Sequence, residues 1–280
     1  MNLSNLTTSC VSMASKNYWT KIREIAIELN KIGKEHLDET SLEELVPILD
    51  EIEVIAHNDN IDYDSAKLIL SDEGMINSLE TIREFYIYIG ARLERENAYE
   101  IIQGGESAWE VLDTFHFYER YEGLLSNEAE LVPFNEETNL VFIGSGPLPV
   151  TLIMFNKMFG CKCVGIEVQP SVAKLSRHII RRLGLDDDIK IVIGDERYIK
   201  HLDYDVIMVA AFAIPKSKVF GNLWEIVDTN TPILYRTYSG MRQMLYEPVK
   251  DVDLRGFHQE GLMLPKGNVN NTSVLVKKII

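Results

Sequence analysis

The chain has 280 residues, 46% hydrophobic and 25% charged, the profile of a soluble globular protein with enough length for one large or two ordinary domains. Its formal net charge of −15 argues against a nucleic-acid partner, because phosphate binding depends on Lys and Arg. No apolar run approaches the roughly 20 residues needed to span a bilayer, so neither a nucleic acid nor a membrane is expected as a partner.

Residues 1–16 are rich in Ser, Thr and Asn and lack the basic start and apolar core of a signal peptide; they read as a poorly ordered end. Cys10, Cys161 and Cys163 are the three cysteines. Cys161 and Cys163 form C-x-C, and with no second Cys/His cluster they read as small buried hydrophobes and not as a metal site; the cysteine usage fits a reducing cytoplasm. A helical domain is expected over 17–134. Ile22, Ile25, Ala26 and Leu29 recur at helical spacing. Ser41 followed by Glu44 is a capping box that opens a second helix towards Ile55. A short third helix is predicted over 64–70. A long fourth covers 76–99, with Leu79, Ile82, Phe85, Tyr86, Ile89 and Leu93 as its buried stripe. After Gly104 and Gly105 a single helix is predicted from about 108 to 130.

Pro133 and the polar residues 136–138 mark a boundary, and a second domain over 135–280 follows. Strands are predicted at 139–143, 162–167, 189–193, 204–210, 231–237 and 272–279, with helices near 148–159, 170–183 and 217–227. Such alternation specifies a mostly parallel, Rossmann-like α/β sheet covered on both faces, with room for an antiparallel member after Arg236.

In a doubly wound sheet the ligand sits at the carboxyl ends of the strands. Gly144, Ser145 and Gly146 follow the first predicted strand, and their glycines let backbone approach a ligand. Glu167 ends the second strand and can accept from two ribose hydroxyls. Gly194 and Asp195 follow the third, and the small Ala210 and Ala211 end the fourth. A dinucleotide fingerprint wants a third small residue and a helix N-terminus open to pyrophosphate. Here Pro147, Leu148 and Pro149 follow the glycines. Proline stiffens the turn and removes a donor, which favours a cofactor without phosphates, S-adenosylmethionine (SAM), over NAD.

These residues resemble the nicotianamine synthase family. The resemblance rests on the Gly144–Pro149 turn, Val209–Ala211, the run from Tyr235 through Arg242 to Pro248, and the long helical segment ahead of the sheet. The archaeal branch is most similar, through 55–58, 115–121 and 270–276. The resemblance implies a class I methyltransferase-type SAM fold used for another purpose. Such an enzyme transfers the 3-amino-3-carboxypropyl group of SAM to an amine of an amino-acid acceptor, glutamate or another. It releases methylthioadenosine and builds nicotianamine or a similar metal chelator by repeated transfer. SAM is the co-substrate, and no metal is needed for catalysis.

On the residues alone Glu94 reads as a solvated acid among Arg92, Arg95 and Glu96; the resemblance makes it the catalytic base. Phe115, Tyr118 and Tyr121 share one face of the predicted 108–130 helix and read as aromatic packing. The resemblance pairs Tyr121 with Glu94, and a phenol with a pKa near 10 would orient or relay rather than act as a lone base. Arg236 and Arg242 can each hold a carboxylate bidentately or form a salt bridge. Tyr118 and His57 are expected in the substrate cavity, His57 as a cap or lining residue and not a metal ligand. A SAM methyltransferase, and a non-catalytic SAM- or adenosine-binding sensor, are the alternatives.

Overall fold

The computed structural model describes residues 3–105 and 107–279, without the side chains of residues 3–16. Of the poorly ordered end expected over 1–16, residues 1 and 2 lie outside these, and the backbone of 3–16 is the start of a helix. Contacts divide the chain into two compact units. The helical unit comprises Met1–Ala91, Tyr238–Pro248 and Lys266–Asn270; the sheet unit comprises Arg92–Thr237, Val249–Pro265 and Asn271–Ile280. This partition differs from the one expected from sequence. The change from helix to strand does fall between Leu131 and Asn139, but residues 92–134 group with the sheet by contact.

In the helical unit, α1 (Leu3–Ile32), α2 (Leu42–Ala56), α3 (Tyr63–Leu70) and the first part of α4 (Ile76–Gln103) bury the apolar stripes that their spacing specifies. Ile22, Ile25, Leu45, Ile52, Ile82 and Ile89 are all almost fully buried. Ser41 caps α2, its hydroxyl accepting from the Glu44 amide at 3.3 Å and donating to the Glu44 carboxylate at 2.8 Å. Asp62 caps α3 by accepting from the Ser65 amide at 2.9 Å.

The single helix expected from 108 to 130 is two: α5 (Ala108–Asp113) and α6 (Tyr118–Leu131). The hydroxyl of Thr114 donates to the Val111 carbonyl at 2.7 Å, taking an acceptor that the next turn would need. Phe115 is then buried edge-on against Phe117, with ring centroids 5.5 Å apart. Phe115 therefore does not lie on the same helix as Tyr118 and Tyr121.

Among the described residues the sheet unit has seven strands, in the order β3-β2-β1-β4-β5-β7-β6. These are β1 (Asn139–Ile143), β2 (Lys162–Glu167), β3 (Ile189–Ile193), β4 (Val206–Val209), β5 (Ile233–Thr237), β6 (Phe257–Met263) and β7 (Thr272–Lys278). The first five are parallel, while β7 inserts antiparallel between β5 and β6. Strand β6 went unpredicted because it is an edge strand with only Phe257 fully buried, so the apolar alternation that marks a strand is missing. Helices α7 (Val150–Phe159), α8 (Pro170–Arg182) and α9 (Lys216–Ile226) connect the parallel strands. The chain winds outward from β1 through β2 to β3, then returns through β4 to β5. With right-handed crossovers, α7 and α8 cover one face and α9 the other. The strand order reverses between β1 and β4, which places a ligand-binding crevice at their carboxyl ends. Among the described residues no helix is long and apolar enough to cross a membrane.

Gly165 sits mid-strand in β2 because the face beneath it is filled. A Cβ there would lie 2.7 Å from Leu152 Cδ1, 2.8 Å from Ile191 Cδ1 and 2.8 Å from Ser145 Cβ. Gly165→Ala is expected to destabilise the fold by about 1–3 kcal/mol through overpacking, measured as a lowered midpoint in urea denaturation; an unchanged midpoint would show that the layer is not close-packed.

Candidate active site

At the switch point the chain turns sharply after β1. Gly144 has φ 85° and Gly146 φ 70°, the left-handed region that only glycine enters freely. The first glycine also permits close approach. A Cβ on it would lie 3.2 Å from the Ala213 methyl and 3.3 Å from the Ala210 methyl. The loop after β4 is thus seated against the loop after β1. Ala210 is further tied in by its amide, which donates to the Ile143 carbonyl at 3.0 Å.

The second glycine organises the charge. Its amide donates to Glu167 Oε2 at 3.1 Å, and Glu167 Oε1 accepts from the Gln169 amide at 3.0 Å. Glu167 is buried at the end of β2 with both oxygens held by backbone. On the other side of Gly146 stands Glu94, from the later part of α4. Its Oε2 lies 3.3 Å from the place a Gly146 Cβ would take. Desolvation, followed by the Glu167 charge, raises the Glu94 carboxyl to about 8. Although the residue is half-buried as a whole, its carboxyl group is shielded from water, and this drives the shift.

The other expected cofactor positions fall along the same edge. Asp195 caps the helical turn after β3. It is lowered from the usual carboxylate value chiefly by its hydrogen bonds with Arg197, including Nε to Oδ2 at 3.0 Å. Glu196 beside it is buried and bonded to Asn222. Leu148 is buried and Ser145 has a buried hydroxyl with no partner among the described residues. Tyr121 lies on the first turns of α6, half-buried.

One residue of this region escaped the sequence reading. Lys216, at the start of α9, is 7% exposed. Its Nζ donates to the carbonyls of Ala210 at 2.6 Å, Ala211 at 2.9 Å and Ala213 at 2.8 Å. Burial pushes it down to about 7, against an opposing contribution from Asp253. Three carbonyls accepting from three ammonium protons favour the charged form. The signal was present in the sequence: a lysine in the first turn of a helix opposes the macrodipole and needs compensating acceptors.

Four expected substrate-binding residues are engaged otherwise. Arg236, on β5, donates through Nε to Glu128 Oε1 at 2.7 Å and through Nη2 to Glu128 Oε2 at 3.0 Å, with Nη1 on the Thr151 hydroxyl at 2.9 Å. It is a buried ion-pair residue of the sheet unit, because the guanidinium fork fits the carboxylate of α6. Tyr118 accepts from Lys157 Nζ at 3.0 Å at the surface. In the helical unit, Arg242 donates to the carbonyls of Val269 at 2.6 Å and Gly267 at 2.7 Å and to Asp59 at 2.8 Å. It thereby anchors the 266–270 segment. His57 bonds to Asn270, whose Nδ2 donates to the Tyr86 hydroxyl at 2.7 Å. Sequence spacing showed none of these partners, since they lie far along the chain.

A profile of the nicotianamine synthase protein family matches residues 52–280. The chain belongs to the nicotianamine synthase family. MtNAS, crystallised in complex with MTA and tNA, superposes with a TM-score of 0.90 at 48% identity, covering 94% of this chain and 98% of that one. A glutamate-to-glutamine variant of MtNAS in complex with S-adenosylmethionine superposes with a TM-score of 0.87 at 47% identity, with the same coverage. Nicotianamine synthase 2 of Arabidopsis thaliana is 27% identical over 188 residues, 60% of this chain and 56% of that protein. The chain thus spans a little over half the length of that plant relative. The five parallel strands with a reversed β7 are the Rossmann-like sheet expected from sequence.

The Glu94 shift carries a stability consequence. A carboxyl raised in the folded state must take up a proton on folding at neutral pH, and this penalty grows until the pH passes the folded value near 8. Glu94→Gln is therefore expected to raise the melting temperature, by more at pH 9 than at pH 6. An equal change at both pH values would show that Glu94 ionises normally.

Proposed function

We propose that this chain transfers the 3-amino-3-carboxypropyl group of SAM to an amine acceptor, releasing methylthioadenosine, and so makes nicotianamine or a similar chelator. The observation that carries this reading is the Glu94 carboxyl beside Gly146, the second glycine of the cofactor turn. An acceptor amine has a proton to lose once it has attacked, and a carboxyl here can take it. Methyl transfer to an amine would need the same base, so the choice between the two rests on the MTA bound in the MtNAS complex. The complexes of MtNAS with MTA and with S-adenosylmethionine support the same chemistry.

In this reading the residues from Gly144 to Leu148, with Glu167, Gly194, Asp195, Ala210 and Ala211, surround the adenosine of SAM. The acceptor nitrogen attacks the γ-carbon of the aminocarboxypropyl arm in line with its bond to sulfur. As the C–N bond forms, the C–S bond breaks and its electron pair returns to sulfur, which leaves as a neutral thioether. The sulfonium is its own activated leaving group, so no Lewis acid is required. The positive charge now lies on nitrogen, and Glu94 takes the proton, with Tyr121 orienting the amine. The acceptor is an amino acid in this reading, and each transferred arm carries an amine of its own, so every product can serve as the next acceptor. Much of the rate comes from holding nitrogen, carbon and sulfur in line.

The protonation state of Glu94 makes the mechanism testable. With its carboxyl near 8, the empty enzyme holds it largely protonated at pH 7, and an arriving sulfonium favours the carboxylate. The value of kcat/KM for SAM is expected to rise with pH through about 8. Glu94→Gln is expected to lose about 10²–10⁴-fold in turnover while retaining SAM binding by calorimetry. Mass spectrometry of the wild-type reaction is expected to show methylthioadenosine; S-adenosylhomocysteine as the only nucleoside product would overturn the proposal.

A further inference from the structure

Arg236 and Glu128 form a buried ion pair far along the chain from one another, and their surroundings show what it connects. Glu128 is completely buried on α6, and Arg236 on β5 is 5% exposed. Both carboxylate oxygens accept from the guanidinium, and Glu128 Oε1 also accepts from the Ser273 hydroxyl of β7 at 3.4 Å. The guanidinium reaches as well to Thr151, the second residue of α7, and lies over the Phe142 ring of β1 with its carbon 5.4 Å from the centroid. One side chain therefore holds β1, β5, α6 and the first turn of α7. The pair is also costly to desolvate, and apolar residues of equal volume commonly serve stability as well or better. Its fixed directions are what apolar packing does not supply.

Two of the connected elements bear the proposed chemistry. Tyr121 precedes Glu128 by seven residues on α6, so the two lie within about 20° of the same helix face, about 10.5 Å apart along the axis. Leu124, Leu125 and Glu128 are the buried residues of that helix. Thr151 lies two residues beyond the turn from Gly144 to Pro149. We propose that Arg236 is a positioning residue: by chelating Glu128 and holding Thr151, it fixes the rotation of α6 against the start of α7, and so the place of the Tyr121 hydroxyl relative to the cofactor turn. This rests on the role given to Tyr121 in the proposed reaction.

The test replaces the pair by apolar residues, Glu128→Leu with Arg236→Met, alone and together with Tyr121→Phe. The double variant is expected to fold, with a wild-type circular dichroism spectrum and a SAM KM within about threefold of wild type. Its kcat is expected to fall at least tenfold. In the Tyr121→Phe background the same double substitution is expected to lower kcat by less than twofold, because the group it positions is already gone. A folded double variant with wild-type kcat overturns the inference. So does an equal fold-loss with and without Tyr121, which would make the pair a general support. If Tyr121→Phe alone turns over at the wild-type rate, the role of Tyr121 in the proposed reaction fails, and this inference with it. Should the double variant not fold, Arg236→Lys decides. It keeps the charge but cannot hold both Glu128 oxygens and Thr151 at once, so a reduced kcat at unchanged SAM KM supports positioning and full activity refutes it.

Discussion

The hydrogen bond from the Gly146 amide to Glu167 links the shape of the turn after β1 to the charge at its edge. It requires the left-handed φ of Gly146, which aims the amide across to β2, and it fixes one oxygen of a buried carboxylate. The same glycine leaves an open Cα beside which the Glu94 carboxyl can stand. A side chain at 146 would strain the turn and crowd that carboxyl together. The fixed negative charge of Glu167 and the loss of water around Glu94 then act in the same direction, both favouring a proton on Glu94. Backbone conformation, the hold on Glu167 and the raised Glu94 carboxyl thus meet at one turn of chain.

Two buried cations of the sheet unit are settled in different ways. Arg236 meets a carboxylate in a planar fork, which constrains direction as well as distance. Lys216 meets three carbonyls of the loop after β4, which neutralise nothing but satisfy all three of its protons. The first arrangement ties helices to the sheet, and the second shapes a loop that packs on Gly144. Glu94 differs from both: its surroundings oppose its charge. A buried carboxyl whose surroundings oppose its charge is the pattern expected where a proton must move. For a member of the nicotianamine synthase family this is consistent with chemistry on an amine.

Much of this was legible in the sequence because it is local. Period and length specify β1 to β5 and the helices between them, and the glycine turn with acids ending the next strands marks the ligand edge. Where local signals compete, the reading failed. Thr114 can continue a helix or cap its carbonyl, and the burial of Phe115 decides for the cap. Edge strand β6 lacks the two-residue period because solvent covers most of its side chains.

The parallel sheet, the Gly144–Gly146 turn and the family resemblance rest on periodicity, on glycine's backbone freedom and on contiguous motif residues, all of which residue order carries. What the charged groups do is a matter of tertiary contact. Arg236 pairs with Glu128 across 108 positions of sequence, Arg242 closes on the 266–270 segment, and Glu94 comes to share Gly146 with Glu167. The energy of a charge depends on which groups and how much water surround it in space, and residue order does not encode that until the chain has folded.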